Sequence, residues 1–167
     1  MLLMDSQQWD RAVDEIGPRL YRFFKYKGAA DLAADLTQET FVRLIVSIQK
    51  YDESRGPLVA FALGFAQNLW RERLRKMRVT ESIDDHENLV VDTDLHAELE
   101  SADQSEKLKA IVRKLPQTQQ DILYFYFDEE NTTREIAEIL AMPEGTVKSH
   151  LYRAKETIRG ILEKESI

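Results

Sequence analysis

Trp9, Val13, Ile16, Leu20, Phe23 and Phe24 recur at spacings of three and four, the repeat that places side chains on one face of a helix. The chain therefore opens with a helix carrying one apolar stripe, and Gly17-Pro18 marks the place where that helix can break. A second helix is predicted from about Asp31 to Gln49, with Leu36, Thr40, Phe41, Leu44 and Ile48 on its apolar side. The run KYDESRGP supplies a loop, and a third helix follows from Leu58 to about Arg78, where Leu58, Ala62, Phe65, Ala66 and Leu69 share a face. These three elements can bury their stripes against one another as a small bundle.

Further on, Ser105 to Leu115 reads as a helix ended by Pro116, and Gln117 to Phe127 as another, with Ile122, Leu123, Phe125 and Tyr126 as its apolar material. Thr132 or Thr133 can cap the next helix, on which Ile136, Ala137 and Leu140 point one way. Ala141-Met142-Pro143 stops it and Glu144-Gly145-Thr146 begins another. Two helices so closely joined make a helix-turn-helix. On its second helix Val147, Leu151, Ala154 and Ile158 form the buried stripe, which leaves Glu144, Lys148, Ser149, Tyr152, Arg153 and Lys155 outside or at the margins. The expected fold is all-α.

Charge divides the chain where the periodicity does. Residues 1–78 carry 13 Lys or Arg against 10 Asp or Glu, residues 107–167 carry 10 against 10, and residues 79–106 carry no base against 10 acids. The middle segment is poor in aromatic residues and weakly periodic, which suits a flexible acidic linker with at most a short helix entering at its end. Two small helical domains, 1–78 and 107–167, joined by the linker 79–106, are thus expected. The net charge of −7 argues against a general nucleic-acid binder only until this distribution is noticed.

Composition removes whole classes of chemistry. With no cysteine there is no disulfide, no thiolate nucleophile and no Cys-ligated metal, and the chain fits a reducing compartment. No run reaches the roughly 18 apolar residues of a membrane span, and the first residues lack the form of a signal peptide. A cytoplasmic protein without membrane insertion is expected. Phosphate-binding glycine loops, HExxH and GxSxG are missing. His86, His96 and His150 are too scattered for a metal centre, and the acids around Asp84, Asp85, Asp92 and Asp94 lack the glycine and distal glutamate of a calcium loop. No catalytic residue, metal or cofactor is expected.

Three polar faces remain. The second helix of the helix-turn-helix enters the major groove in proteins that use this motif, with its N-terminal residues at base edges. At roughly 100° per residue, Gln67, Asn68, Arg71, Arg75 and Arg78 of the third helix lie on one side, opposite Ala62, Phe65 and Leu69; such a row suits a phosphate backbone. Phe61 and Trp70 can either stack on unpaired bases or belong to the core. Asp31, Asp35, Gln38, Glu39 and Val42 form an acidic face with an apolar residue inside it, able to dock a protein. Each face also has a plainer reading as a solvated helix surface.

DLTQETFVRLIVSIQKYDESRG followed by FALGFAQNLWRERLRK resembles region 2 of the sigma-70 family, and LPQTQQDILYFYFDEENTTREIAEILAMPEGTVKSHLYRAKETIR resembles its region 4. The two blocks in this order, with only a short acidic segment between them, point to the extracytoplasmic-function (ECF) group. The region 4 block alone is shared with LuxR-type output domains, so region 2 discriminates. The resemblance implies a dissociable subunit of bacterial RNA polymerase that recognises promoters and starts transcription without catalysis of its own. By position, Asp35, Gln38 and Glu39 match the segment that binds the core polymerase. Asn68, Arg71 and Arg75 match the segment that meets the minus-10 element, with the Tyr51 to Leu58 loop near the extruded base. Glu144, Thr146, Lys148, Ser149, Tyr152 and Arg153 match the recognition helix for the minus-35 element. An anti-sigma factor is the further partner implied.

Two positions depart from the pattern. Phe61 stands near a common tryptophan, and His150 stands where arginine often follows the serine of the recognition helix. The competing reading is a free-standing regulator, using 107–167 for DNA and 1–78 as a sensor or dimer domain. A small nucleic-acid enzyme has no candidate active site.

Overall fold

The computed structural model describes residues 4–80 and 102–165, which form seven α-helices and no strand among the described residues. The chain divides into two compact units, one from its N-terminal and one from its C-terminal part. Most of the segment expected as linker, with His86, His96 and the acids Asp84 to Asp94, lies outside the described residues.

In the first unit α1 (Ser6–Tyr26), α2 (Ala33–Ser47) and α3 (Leu58–Thr80) pack pairwise. Helix α1 starts in a capping box, in which Asp5 Oδ1 accepts from the Gln8 N–H at 2.8 Å and Gln8 Oε1 from the Asp5 N–H at 2.9 Å. It runs unbroken through Gly17-Pro18. Pro18 forfeits one backbone bond, a cost of about 3 kcal/mol. Ile16, Leu20, Phe23 and Phe24 are all at most 2% exposed, and burying even two such side chains offsets that cost. The stripe continues through Ala12, whereas Val13 is exposed. Gly28, at φ 78°, ends the helix in the left-handed conformation, and the Ala29 N–H donates back to Phe24 O at 2.9 Å.

On α2 the buried positions are Ala33, Leu36, Thr40 and Leu44. The buried Thr40 hydroxyl is satisfied by donating to Leu36 O at 2.7 Å. On α3 they include Val59, Ala62, Leu63, Ala66, Leu69 and Trp70; the alanines allow close approach of neighbouring backbones.

The second unit carries α4 (Ala102–Arg113), α5 (Gln117–Leu123), the first five residues of α6 (Thr133–Leu140) and α7 (Glu144–Glu165). Helix α4 begins three residues before the expected Ser105. Past Pro116, the Gln120 amide donates to Leu115 O at 2.8 Å, joining the end of one helix to the next. The predicted helix to Phe127 is α-helical only to Leu123 and widens into a π turn over Tyr124–Asp128. The wider turn brings the Tyr124 hydroxyl within 2.9 Å of Glu129 Oε1, to which it donates, so both polar groups are buried with a partner.

Candidate nucleic-acid interface and partner face

The helix-turn-helix is fixed by local hydrogen bonds. Of the two candidate caps it is Thr132 that serves: its Oγ1 accepts from the Glu135 N–H at 3.2 Å, and Glu135 Oε2 accepts from the Thr132 N–H at 3.0 Å. The turn places Ala141 at φ 53°, and the Met142 N–H donates to Ala137 O at 3.0 Å, closing α6 as a left-handed C-terminal cap does. Thr133 instead donates its hydroxyl to Glu144 Oε1 at 2.8 Å, binding the start of α6 to the start of α7.

On α7, Val147, Leu151 and Ala154 are buried, while Thr146, Lys148, Ser149, Tyr152 and Arg153 are exposed in one row. Tyr152 is 66% exposed, a large aromatic left without cover. Glu144 is half-buried at the N-terminal edge of the row, 3.1 Å from Lys148 Nζ. The Thr133 hydroxyl, and after it Lys148, hold the Glu144 carboxyl below the usual glutamate range. Ser149 donates its hydroxyl to Gly145 O at 2.9 Å, so toward a ligand it presents acceptor lone pairs. His150 is half-buried beside this exposed row. One turn further on, Lys155 Nζ lies over the rings of Tyr126 and Phe127, 4.9 and 5.5 Å from their centroids. No periodicity in the sequence signals that ring contact, because the π turn over Tyr124–Asp128 sets the rings.

On α3, Asn68, Arg71, Arg75 and Arg78 stand exposed at spacings of three and four. Gln67, expected in the same row, is 3% exposed and belongs to the core; the packed arc of α3 is wider than its apolar residues alone suggest. Trp70, 6% exposed, is also core, which removes it as a stacking platform. Phe61 is half-buried and contacts the rings of Tyr51 at 5.4 Å and Phe65 at 5.0 Å.

The loop before α3 is internally braced. Asp52 Oδ1 accepts from the Ser54 N–H at 3.0 Å and the Ser54 hydroxyl at 2.7 Å, and these bonds hold the Asp52 carboxyl below its ordinary value. Tyr51 donates its hydroxyl to Gly56 O at 3.1 Å.

On α2, Asp35, Gln38, Glu39 and Val42 are exposed, as is Asp31 in the short 3-10 turn, residues 30–32, that precedes it. Ile45 and Val46, 52% and 80% exposed, carry the apolar part of this face further along the helix. The i, i+3, i+4 spacing of Val42, Ile45 and Val46 is the signal that marks them. Arg43 crosses from α2 to α3: Nη1 and Nη2 donate to Glu72 Oε1 and Oε2, both at 3.0 Å, and Nη2 also donates to Glu39 Oε1 at 2.9 Å. The bridge raises the Arg43 pKa and lowers that of Glu72, in each case chiefly through their mutual hydrogen bonds. Among the described residues no group of His, Asp or Glu side chains could hold a metal ion, and no helix is long and apolar enough to cross a membrane.

Residues 12–80 match the Sigma-70 region 2 family and residues 105–158 match Sigma-70, region 4. The ECF RNA polymerase sigma factor SigW of Bacillus subtilis (strain 168) is 27% identical over 167 residues, spanning 93% of this chain and 89% of SigW. The ECF RNA polymerase sigma factor SigE of Mycolicibacterium smegmatis is 28% identical over 172 residues, spanning 95% of this chain and 63% of SigE. In structure the chain resembles the sigma factor RpoE crystallised with the anti-sigma factor NepR from Bartonella quintana, with a TM-score of 0.70 at 19% identity over 94% of this chain and 98% of that one. It also resembles CnrH, solved with the cytosolic domain of CnrY, with a TM-score of 0.64 at 17% identity over 96% and 90% of the two chains. The two matched regions together span most of the chain, and it belongs to the sigma-70 family, within the ECF group. Its function is that of an RNA polymerase sigma factor, directing promoter recognition and the initiation of transcription. The region 2 match separates it from a free-standing regulator.

Proposed function

We propose that the work is divided among the three faces as follows. Thr146, Lys148, Ser149, Tyr152 and Arg153, with Glu144 at their edge, meet the minus-35 element. Asn68, Arg71 and Arg75 meet the minus-10 element, with the Tyr51 to Leu58 loop beside the extruded base. Asp35, Gln38 and Glu39 bind the core polymerase. The domains assigned to these tasks are 1–78 and 107–167, with 79–106 as the acidic linker. The observation that supports this reading is the exposed row on α7 of a helix-turn-helix, carried by the same chain as the basic row on α3.

The physics suits that job. Opening a duplex costs on the order of 1.4 kcal/mol per stacked step, so residues that hold unpaired bases and backbone can trap a melted state. Two modest contacts on one tether act at a high effective concentration. An acidic linker is repelled by DNA and attracted to a basic channel of the polymerase. Catalysis belongs to the polymerase, and the chain works in the cytoplasm. An anti-sigma factor is the proposed further partner, as NepR is the partner of RpoE in the Bartonella quintana complex.

Run-off transcription with purified core polymerase on a randomised promoter library tests the whole reading. A defined set of transcripts that vanishes without this chain is expected; none from any template, with no inhibitor present, refutes it. Replacing the linker acids by their amides is expected to lower transcription, and parental activity would remove the linker's electrostatic role.

A further inference from the structure

Glu72 is the one carboxylate within the basic stretch RERLRKMR of α3. Arg75 and Lys76 lie three and four residues beyond it, the spacings at which helical side chains meet, and both already help to lower its pKa. Left to itself, this carboxylate would pair with them and cancel part of the charge that α3 offers to DNA. It is not left to itself, because the Arg43 guanidinium occupies both its oxygens from the neighbouring helix. Planar bidentate pairing of this kind outcompetes the point charge of a lysine.

We propose that Arg43 is a positioning residue for promoter recognition: by holding Glu72 on both oxygens it keeps that carboxylate away from Arg75 and Lys76, so that the basic row of α3 meets DNA at full charge. The inference rests on the assignment of α3 to the minus-10 element. It makes Arg43 more than a bolt between α2 and α3. A bolt fails equally when either partner is removed, whereas a screened carboxylate is harmful only when its screen is lost.

The test is anisotropy of a labelled single strand carrying the minus-10 part of a promoter found in the run-off assay, bound by holoenzyme at several salt concentrations. Arg43→Gln is expected to bind about 1.5- to fivefold more weakly, the range spanned by exposed ion pairs. Its log–log salt slope should be shallower by about 0.7, one phosphate's share for a single strand. Glu72→Gln should bind at least as well as the parent, and Glu72→Gln added to Arg43→Gln should restore both affinity and slope. Should Arg43→Gln fail to fold, Arg43→Lys, with and without Glu72→Gln, carries the same comparison. A Glu72→Gln variant as weak as Arg43→Gln, or a double variant no better than the single, overturns the inference. Parent holoenzyme that ignores the strand overturns the α3 assignment and this inference with it; a parent that binds while rescue fails overturns only the role of Arg43.

Discussion

Glu144→Gln separates holding from reading at the recognition helix. The Glu144 carboxylate accepts from Thr133 at 2.8 Å and lies 3.1 Å from Lys148 Nζ, so in the free protein it ties α7 to α6 and neutralises the first cation of the exposed row. A glutamine oxygen can keep the Thr133 bond but not the charge. Lys148 then meets DNA uncompensated, and one more counterion is released on binding. Each phosphate so neutralised steepens the dependence of log K on log salt by about 0.9 for duplex DNA, which amounts to roughly a fivefold gain at 0.15 M salt relative to 1 M. The gain is expected equally on a duplex carrying the minus-35 element and on a scrambled one, because a phosphate contact carries no sequence information. Salt titrations of the purified chain on both duplexes, read by anisotropy, measure it. An unchanged slope would show that the Lys148 pair does not govern binding. A lost preference at a single base pair would show instead that Glu144 accepts from a cytosine amino group.

Ala141 holds φ 53° at the turn of the helix-turn-helix, a conformation that costs an alanine about 1–2 kcal/mol, so Ala141→Gly should stabilise the second unit by about 0.5–1 kcal/mol after the greater freedom of the unfolded glycine is counted. Ala137→Gly, inside α6, should destabilise it by about 1 kcal/mol; urea unfolding followed at the α6 amides checks both, and equal signs would refute the account. Arg153→Ala should weaken promoter binding by roughly 1–3 kcal/mol if Arg153 reads a base, and an unaltered preference across promoter variants removes that role. Glu39→Lys inverts an exposed charge and should lower association with core polymerase while the circular dichroism spectrum stays the same; normal holoenzyme assembly would count against the acidic face. Folding lowers the Glu72 pKa from its ordinary 4.5, so the Arg43 bridge stabilises the first unit fully above that value and ceases to do so as pH falls through the lower folded one. A carboxyl NMR titration should place Glu72 below 4.5 in the parent and nearer to it in Arg43→Gln.

The helices, the helix-turn-helix and two of the three faces are legible almost completely in the residue pattern, because they depend on positions three and four residues apart and on caps within one turn. The rows Asn68, Arg71, Arg75 and Thr146, Lys148, Ser149, Tyr152, Arg153 are exposed because their spacing holds them away from apolar stripes that any packing of the helices must bury. Whatever joins distant residues, or weighs packing against local preference, follows only from how the helices pack. Packing carries α1 through Pro18, draws Gln67 and Trp70 into the core, and widens the end of α5 so that Tyr124 reaches Glu129. The pairing of Arg43 with Glu72 spans 29 residues, and that of Thr133 with Glu144 spans 11. No periodicity announces either, since both arise from where one helix comes to lie beside another.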